Sequence, residues 1–319
     1  VEEIDTVSKY RQKRQFYAQE QKGRYRRGVG LSLCFHGAGF TGSGERDFIK
    51  AVARLHKTKQ GIVEILVSST DMGQGLRTSL PKIVAKELAI PLEKIIYNYP
   101  DTDVVPDSGP TVASRSMMVV GQLMYRAARK LHDTWRENEE QTVEVHYQHP
   151  EFLLPFSLEK FRGDAYPTYS WLVNVIELEI DTYTGMVKIL GAYGNFDVGT
   201  VIDRNIVIGQ MEGGFLQSIG HSGMEYLTTD RTGRIRNNSF TDYILPTAVD
   251  VPNLQIMLHE ERYPEGPYGA KGAGELPAVG APAAYLAAVE QALGSPRLSH
   301  VPFTAEDILR TWTEVMQNG

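Results

Sequence analysis

Residues 71–75, Asp71-Met72-Gly73-Gln74-Gly75, suit neither helix nor strand, yet they lead straight into 76–88, whose apolar spacing is that of a helix. Pro81 comes early enough in that helix to be tolerated. The arrangement occurs twice more. Small residues at 108–116 (Ser-Gly-Pro-Thr-Val-Ala-Ser-Arg-Ser) precede a long helix over 114–137, and Gly269-Ala270-Lys271-Gly272-Ala273-Gly274-Glu275 precedes one over 277–293. Free backbone N–H groups at a helix N-terminus attract anions, and glycine lets a ligand approach the backbone. One such loop is ordinary capping. Three in one chain could each grip part of one large anionic ligand.

Outward from these loops, alternating Val29, Leu31, Leu33 and Phe35 predict a strand over 28–35, followed by the glycine-rich stretch 36–44. Further strands are expected at 51–56, 62–69 and 95–99, a hairpin at 171–181 and 186–196, a helix over 205–226 and a strand over 254–260. The polar stretch 2–22 reads as a surface helix with Tyr10, Phe16 and Tyr17 on one face, 138–165 as irregular, and 304–316 as a final helix capped by Thr304. Strands and helices alternate without a strict βαβ rhythm, so the fold class is α+β. Two lobes are expected, 1–165 with the first two loops and 166–319 with the third.

The 319 residues can bury a sizeable core, and the net charge of −6 makes nucleic acid a poor partner. Cys34 is the sole cysteine, which excludes an intrachain disulfide, a four-cysteine zinc site and an iron–sulfur cluster, and favours a reducing, cytoplasmic compartment. No apolar run approaches the roughly 20 residues of a membrane span. Val1 opens a charged stretch with no signal-peptide pattern, so no secretory leader is expected. There is no Walker A loop, no complete dinucleotide fingerprint and no G-x-S-x-G elbow, and the eight histidines have no metal-ligand spacing. Glu275 lies between flexible glycines and Pro277. It reads either as a first-turn acid favoured by the helix dipole or as a general base in a partly dry pocket.

Four segments together resemble the xanthine dehydrogenase/aldehyde oxidase family of molybdenum hydroxylases: 70–75 with its Gly-Gln-Gly, 106–122 around Pro110-Thr111-Val112-Ala113-Ser114-Arg115-Ser116, 195–214, and 271–275. The resemblance implies a molybdopterin-binding fold, its C-terminal half. It implies that Met72, Gly73, Gln74 and Gly75 contact the pterin, and that Thr111, Ala113, Ser114, Arg115 and Ser116 line the cofactor and its phosphates. Lys271, Gly272, Ala273 and Gly274 would complete the cradle, with no metal bonded directly through protein side chains. Glu275 would be the general base taking the proton from a molybdenum-bound hydroxyl, and Phe35, His36 and Phe40 would be substrate-pocket residues.

The implied cofactor is a molybdopterin dinucleotide, in its cytosine form, with molybdenum. The family's earlier cofactor segments are missing, so a large molybdopterin subunit is expected as partner, with FAD and [2Fe-2S] clusters on further subunits, as in nicotinate dehydrogenase. The implied activity is hydroxylation of an N-heteroaromatic, nicotinate or purine-like. Alternatives are an aldehyde or thioester substrate, a non-catalytic structural partner, or a nucleotide-binding regulatory protein.

Overall fold

The computed structural model describes residues 1–19, 23–294 and 298–318. Two four-stranded sheets, each with its own helices, form the body. In the first, β1 (Tyr25–Ala38) pairs antiparallel with β6 (Thr168–Asp181), β6 antiparallel with β7 (Val187–Asp197), and β7 parallel with β8 (Leu254–His259). The second has the order β4 (Ile95–Ile96), β3 (Val63–Leu66), β2 (Val52–Lys57), β5 (Gln141–His146). Strand β1 precedes residue 165 in the chain yet is built into the sheet of the later half, from Tyr25 opposite Asp181 to Ala38 opposite Thr168.

Period-two burial sets the faces of the first sheet. Val29, Val175 and Tyr193 face α1 (Glu2–Ser8) and α2 (Tyr10–Gln19), with Ile4 and Tyr17 in the same cluster. The opposite face carries Leu172, Leu178 and Phe196 against α5 (Arg204–Gly223) and α6 (Ala281–Leu293). Helix α6 lies unusually close to β1: a Cβ at Gly28 would sit 1.9 Å from the Ala288 carbonyl oxygen, and one at Gly30 2.0 Å from that of Ala284. In the second layer, Leu55, Val63 and Val143 pack on Leu80 and Ile83 of α3 (Leu76–Leu88) and on Met124 and Leu131 of α4 (Gly121–Asp133). Among the described residues no helix is long and apolar enough to cross a membrane.

Several local expectations need correction. The helix over 2–22 is two helices, broken at Lys9 (φ 56°), and Phe16 is exposed while the adjacent Tyr17 is buried; residues 20–22 lie outside the described residues. The stretch 138–165 contains β5, a strand too short for its alternating Val143 and Val145 to stand out. The helix over 114–137 starts later, through a π turn at Ser116–Val120, because Ala113 and Ser114 take left-handed backbone (φ 55° and 50°). The helix over 277–293 is split into a 3-10 turn, Leu276–Ala278, and α6, separated at Gly280 (φ 92°). By contrast, α3 spans 76–88 as read from sequence. The last helix, α7 (Ala305–Asn318), opens on a reciprocal cap: the Thr304 N–H donates to Asp307 Oδ2 (2.9 Å) and the Asp307 N–H to Thr304 Oγ1 (3.4 Å).

Candidate active site

The three glycine-rich loops converge, from both layers, on one cavity of about 390 Å³. That volume lies in the range of small-molecule and cofactor sites. The loop before α3 is shaped by Asp71, whose Oδ1 accepts from the Gly73 N–H (2.9 Å) and whose Oδ2 accepts from the Arg77 N–H (2.7 Å). Burial pushes the Asp71 carboxyl up, but the backbone N–H donors of Arg77, Gly73 and Gly75 outweigh it and hold it below the usual range. Gln74 folds back on its own loop, donating to the Thr70 carbonyl (2.7 Å) and accepting from the Met72 N–H (2.6 Å). Gly75 (φ 82°) is favoured as glycine by its left-handed backbone, and a Cβ there would also come within 2.7 Å of the Ile206 side chain.

Loop 108–116 is stitched to its neighbours. The Thr70 N–H donates to Thr111 Oγ1 (2.9 Å), the Ser68 N–H to Ser108 Oγ (3.1 Å), and the Gly39 N–H to the Ala113 carbonyl (2.8 Å). Ser114 then joins this loop to the third: its Oγ–H donates to Glu275 Oε2 (2.8 Å) and accepts from the Glu275 N–H (2.9 Å). The contact needs Gly272, where a Cβ would lie 1.6 Å from the Ser114 carbonyl oxygen. Beneath, Ser170 Oγ–H donates to the Gly272 carbonyl (3.0 Å). His36, on β1 opposite Ser170, brings its Nε2 to 3.6 Å from Glu275 Oε2.

Met72, Gln74, Thr111, Ala113, Ser114 and Ser116 all border the cavity, as do Ala273, Gly274 and Glu275. Gly73 and Gly75 do not border it; an added Cβ at Gly73 would meet only open space. Arg115, Lys271 and Gly272 border it too, the two cations each paired with a carboxylate of this chain. The Lys271 ammonium pairs with Asp197 Oδ2 at 2.6 Å, both side chains 5% exposed, and donates to the Tyr169 carbonyl. The Arg115 guanidinium is fully buried against Glu45. None of the three residues read as lining a substrate pocket, Phe35, His36 and Phe40, borders the cavity, though His36 approaches Glu275. In a strand, side chains alternate between faces, so with His36 toward Glu275, Phe35 lies on the other side, packed on Tyr169 and Trp171.

Segment 195–214, to which the resemblance assigned no cofactor contact, forms a wall of the cavity: Val198, Thr200, Ile202, Ile206 and Gln210 all line it. Asp203, which caps α5 by accepting from the Ile206 N–H (3.1 Å), also pairs with Lys82 of α3. That hydrogen bond from Lys82 holds the Asp203 carboxyl below its usual range against its partial burial. The sequence signal was the Asp203 cap itself, which fixes where α5 begins but not what its first turns face. Among the described residues no group of three or more His, Cys, Asp or Glu side chains is placed to hold a metal ion.

The cavity therefore combines apolar side chains with backbone and small polar groups from three loops, and two carboxylates line it: Asp203, paired with Lys82, and the half-exposed Glu275. The residues present fit a large organic cofactor: at Gly274 the loop backbone is open, the nearest atom to an added Cβ being Ser114 Oγ at 3.8 Å, and the first N–H groups of a helical turn are the ones without an intrahelical acceptor. Residues 3–153 and 142–252 match the molybdopterin cofactor-binding domain family. The chain is 28% identical over 316 residues to the 6-hydroxypseudooxynicotine dehydrogenase complex subunit gamma of Paenarthrobacter nicotinovorans, covering 88% of this chain and 39% of that one. It is 27% identical to the nicotine 6-hydroxylase large subunit of the same organism, covering 89% and 40%. Among solved structures, reconstituted CO dehydrogenase from Oligotropha carboxidovorans superposes with a TM-score of 0.85 at 22% identity, over all of this chain and 45% of that one. The aldehyde oxidoreductase from Desulfovibrio desulfuricans gives 0.84 at 23%, over 97% and 35%. The chain thus spans about two fifths of the length of these curated relatives.

Proposed function

The chain belongs to the molybdopterin cofactor-binding domain family, and on that premise we propose that it supplies part of the active site of a molybdenum hydroxylase acting on an N-heteroaromatic substrate. The N-heteroaromatic class is supported by the similarity to a nicotine 6-hydroxylase large subunit. The observation that carries the reading is Glu275, held by Ser114 at the edge of a cavity built from three anion-receiving loops. Bound there, the cofactor supplies the two-electron oxidation and its metal the activated oxygen.

The residues of this chain bind, orient and move a proton. The Gln74 loop and the 111–116 loop hold the pterin and the phosphates of a dinucleotide, in its cytosine form. Ser114 occupies Glu275 Oε2, which leaves Oε1 to accept the proton released as the substrate carbon is attacked. His36 stands beside the same carboxylate. The other portion of the molybdopterin site is carried by a large partner subunit, and FAD and [2Fe-2S] clusters by further subunits of a cytoplasmic complex.

The test is Glu275→Gln in the assembled complex. Molybdenum and nucleotide content stay at parental levels while turnover of nicotinate- or purine-type substrates falls by about 10²–10⁴-fold, the usual contribution of a positioned general base. Turnover close to parental would remove Glu275 from the chemistry.

A further inference from the structure

Arg115 is fully buried and its partner Glu45 is 2% exposed. The pair is bidentate, Nε to Oε1 at 2.5 Å and Nη2 to Oε2 at 2.9 Å. Nη1 donates twice more, to the carbonyls of Ser108 (2.9 Å) and Pro110 (3.1 Å). Loop 108–116 is therefore wrapped around its own guanidinium. Gly109 (φ 79°) shows how tightly: a Cβ there would lie 3.0 Å from Nη1 and 2.4 Å from Ile49. Glu45 and Ile49 are the two ends of one π turn, Glu45–Ile49, so the segment that supplies the counter-ion also packs on the loop. Within the loop, Ala113 and Ser114 hold left-handed backbone, a conformation that persists only where the surroundings over-determine it. A buried ion pair is a poor source of stability compared with well-packed apolar side chains, so its presence in this spot calls for a geometric reason.

We propose that Arg115, with Glu45 as counter-ion, is a positioning residue that moulds loop 108–116 into its ligand-receiving shape and thereby keeps Ser114 in hydrogen-bond reach of Glu275. Its side chain is fully buried, so it acts through the loop it holds. The inference rests on the reading of this cavity as the cofactor site. Lysine cannot replace it, because an ammonium lacks the planar fork that serves Glu45 and two carbonyls at once.

The test compares the purified parental complex with Arg115→Lys and with the double variant Arg115→Met/Glu45→Leu, which refills the volume without charge. Three quantities are read: molybdenum and acid-released nucleotide per chain, melting temperature, and protease cleavage within 108–116. In the double variant, melting stays within a few degrees of the parent or rises. Its molybdenum and nucleotide content falls by about 10–100-fold, as for removal of a supporting shell, and the loop becomes cleavable. Arg115→Lys shows the same loss, and decides the matter if the double variant does not fold. Parental cofactor content and a protected loop in a folded variant would overturn the proposal. A parental complex holding neither molybdenum nor nucleotide would instead defeat the cofactor reading, and loop protection, parent against double variant, would then decide the positioning role alone.

Discussion

Gly272→Ala is the sharpest test of how the site is assembled. Gly272 does not lie in the left-handed region, so alanine meets no backbone penalty there. The added methyl would instead sit 1.6 Å from the Ser114 carbonyl oxygen, 2.7 Å from its carbon and 3.1 Å from the Ala38 Cβ. Two of these atoms are backbone and cannot swing away. To reach ordinary contact at 3.4 Å, the two loops must part by about 1.8 Å. That displacement takes the paired Ser114–Glu275 hydrogen bonds, now 2.8 and 2.9 Å, beyond bonding range if it opens along them. Overpacking of this kind costs about 1–3 kcal/mol or more, which for a chain of this size lowers melting by about 2–5 °C. A reacting group misplaced by 1 Å or more loses about 10²-fold in rate. The comparison is Gly274→Ala, two residues on, where the nearest atom to an added Cβ is Ser114 Oγ at 3.8 Å. Calorimetry of the assembled complex should show a clear melting drop for Gly272→Ala and none for Gly274→Ala, and turnover of the first should fall by about 10²-fold. Equal melting of the two variants, with parental turnover for Gly272→Ala, would show that the close approach does not hold the carboxylate in place.

Lys271→Met leaves Asp197 buried without its cation and should cost about 3–5 kcal/mol, with Lys271→Met/Asp197→Leu recovering most of it; denaturant unfolding of the three chains measures this, and no recovery in the double variant means the charge pair is not the cause. Asp203 is depressed by its hydrogen bond from Lys82, so its stabilisation is complete above the unfolded carboxylate range and is lost as pH falls below about 4. The melting gap between the parent and Asp203→Asn should therefore hold constant from pH 7 to about pH 5 and narrow below about pH 4, and a gap that stays constant down to pH 3 assigns the acid sensitivity elsewhere.

Much of the site was legible because each loop is a local object. Small residues before an apolar helix at 76 announce both the turn and the helix that follows it, and α3 begins where that pattern begins. Glu275 stood out because a carboxylate between glycines and Pro277 is locally exposed. What was not legible depends on partners far away in the chain. Arg115 carries the same composition signal whether it faces a phosphate or Glu45, 70 residues earlier. Lys271 is likewise indistinguishable from a ligand-binding lysine until Asp197 is placed under it. Phe35 and His36 are neighbours in sequence but opposite in direction, and which of them approaches Glu275 follows from the register of β1 on β6.

By itself, the amino-acid sequence determined the mixed strand-and-helix character, the three helix-opening loops and the family likeness carried by their order. These are properties of short windows, set by backbone freedom at glycine, capping and periodicity. Only the tertiary structure decided that β1 crosses into the later half's sheet, that α5 walls the cavity, and that the Arg115 and Lys271 cations are paired with Glu45 and Asp197. Those outcomes depend on which surfaces pack together, because a charged side chain in an interior keeps its charge only where another segment delivers the counter-charge.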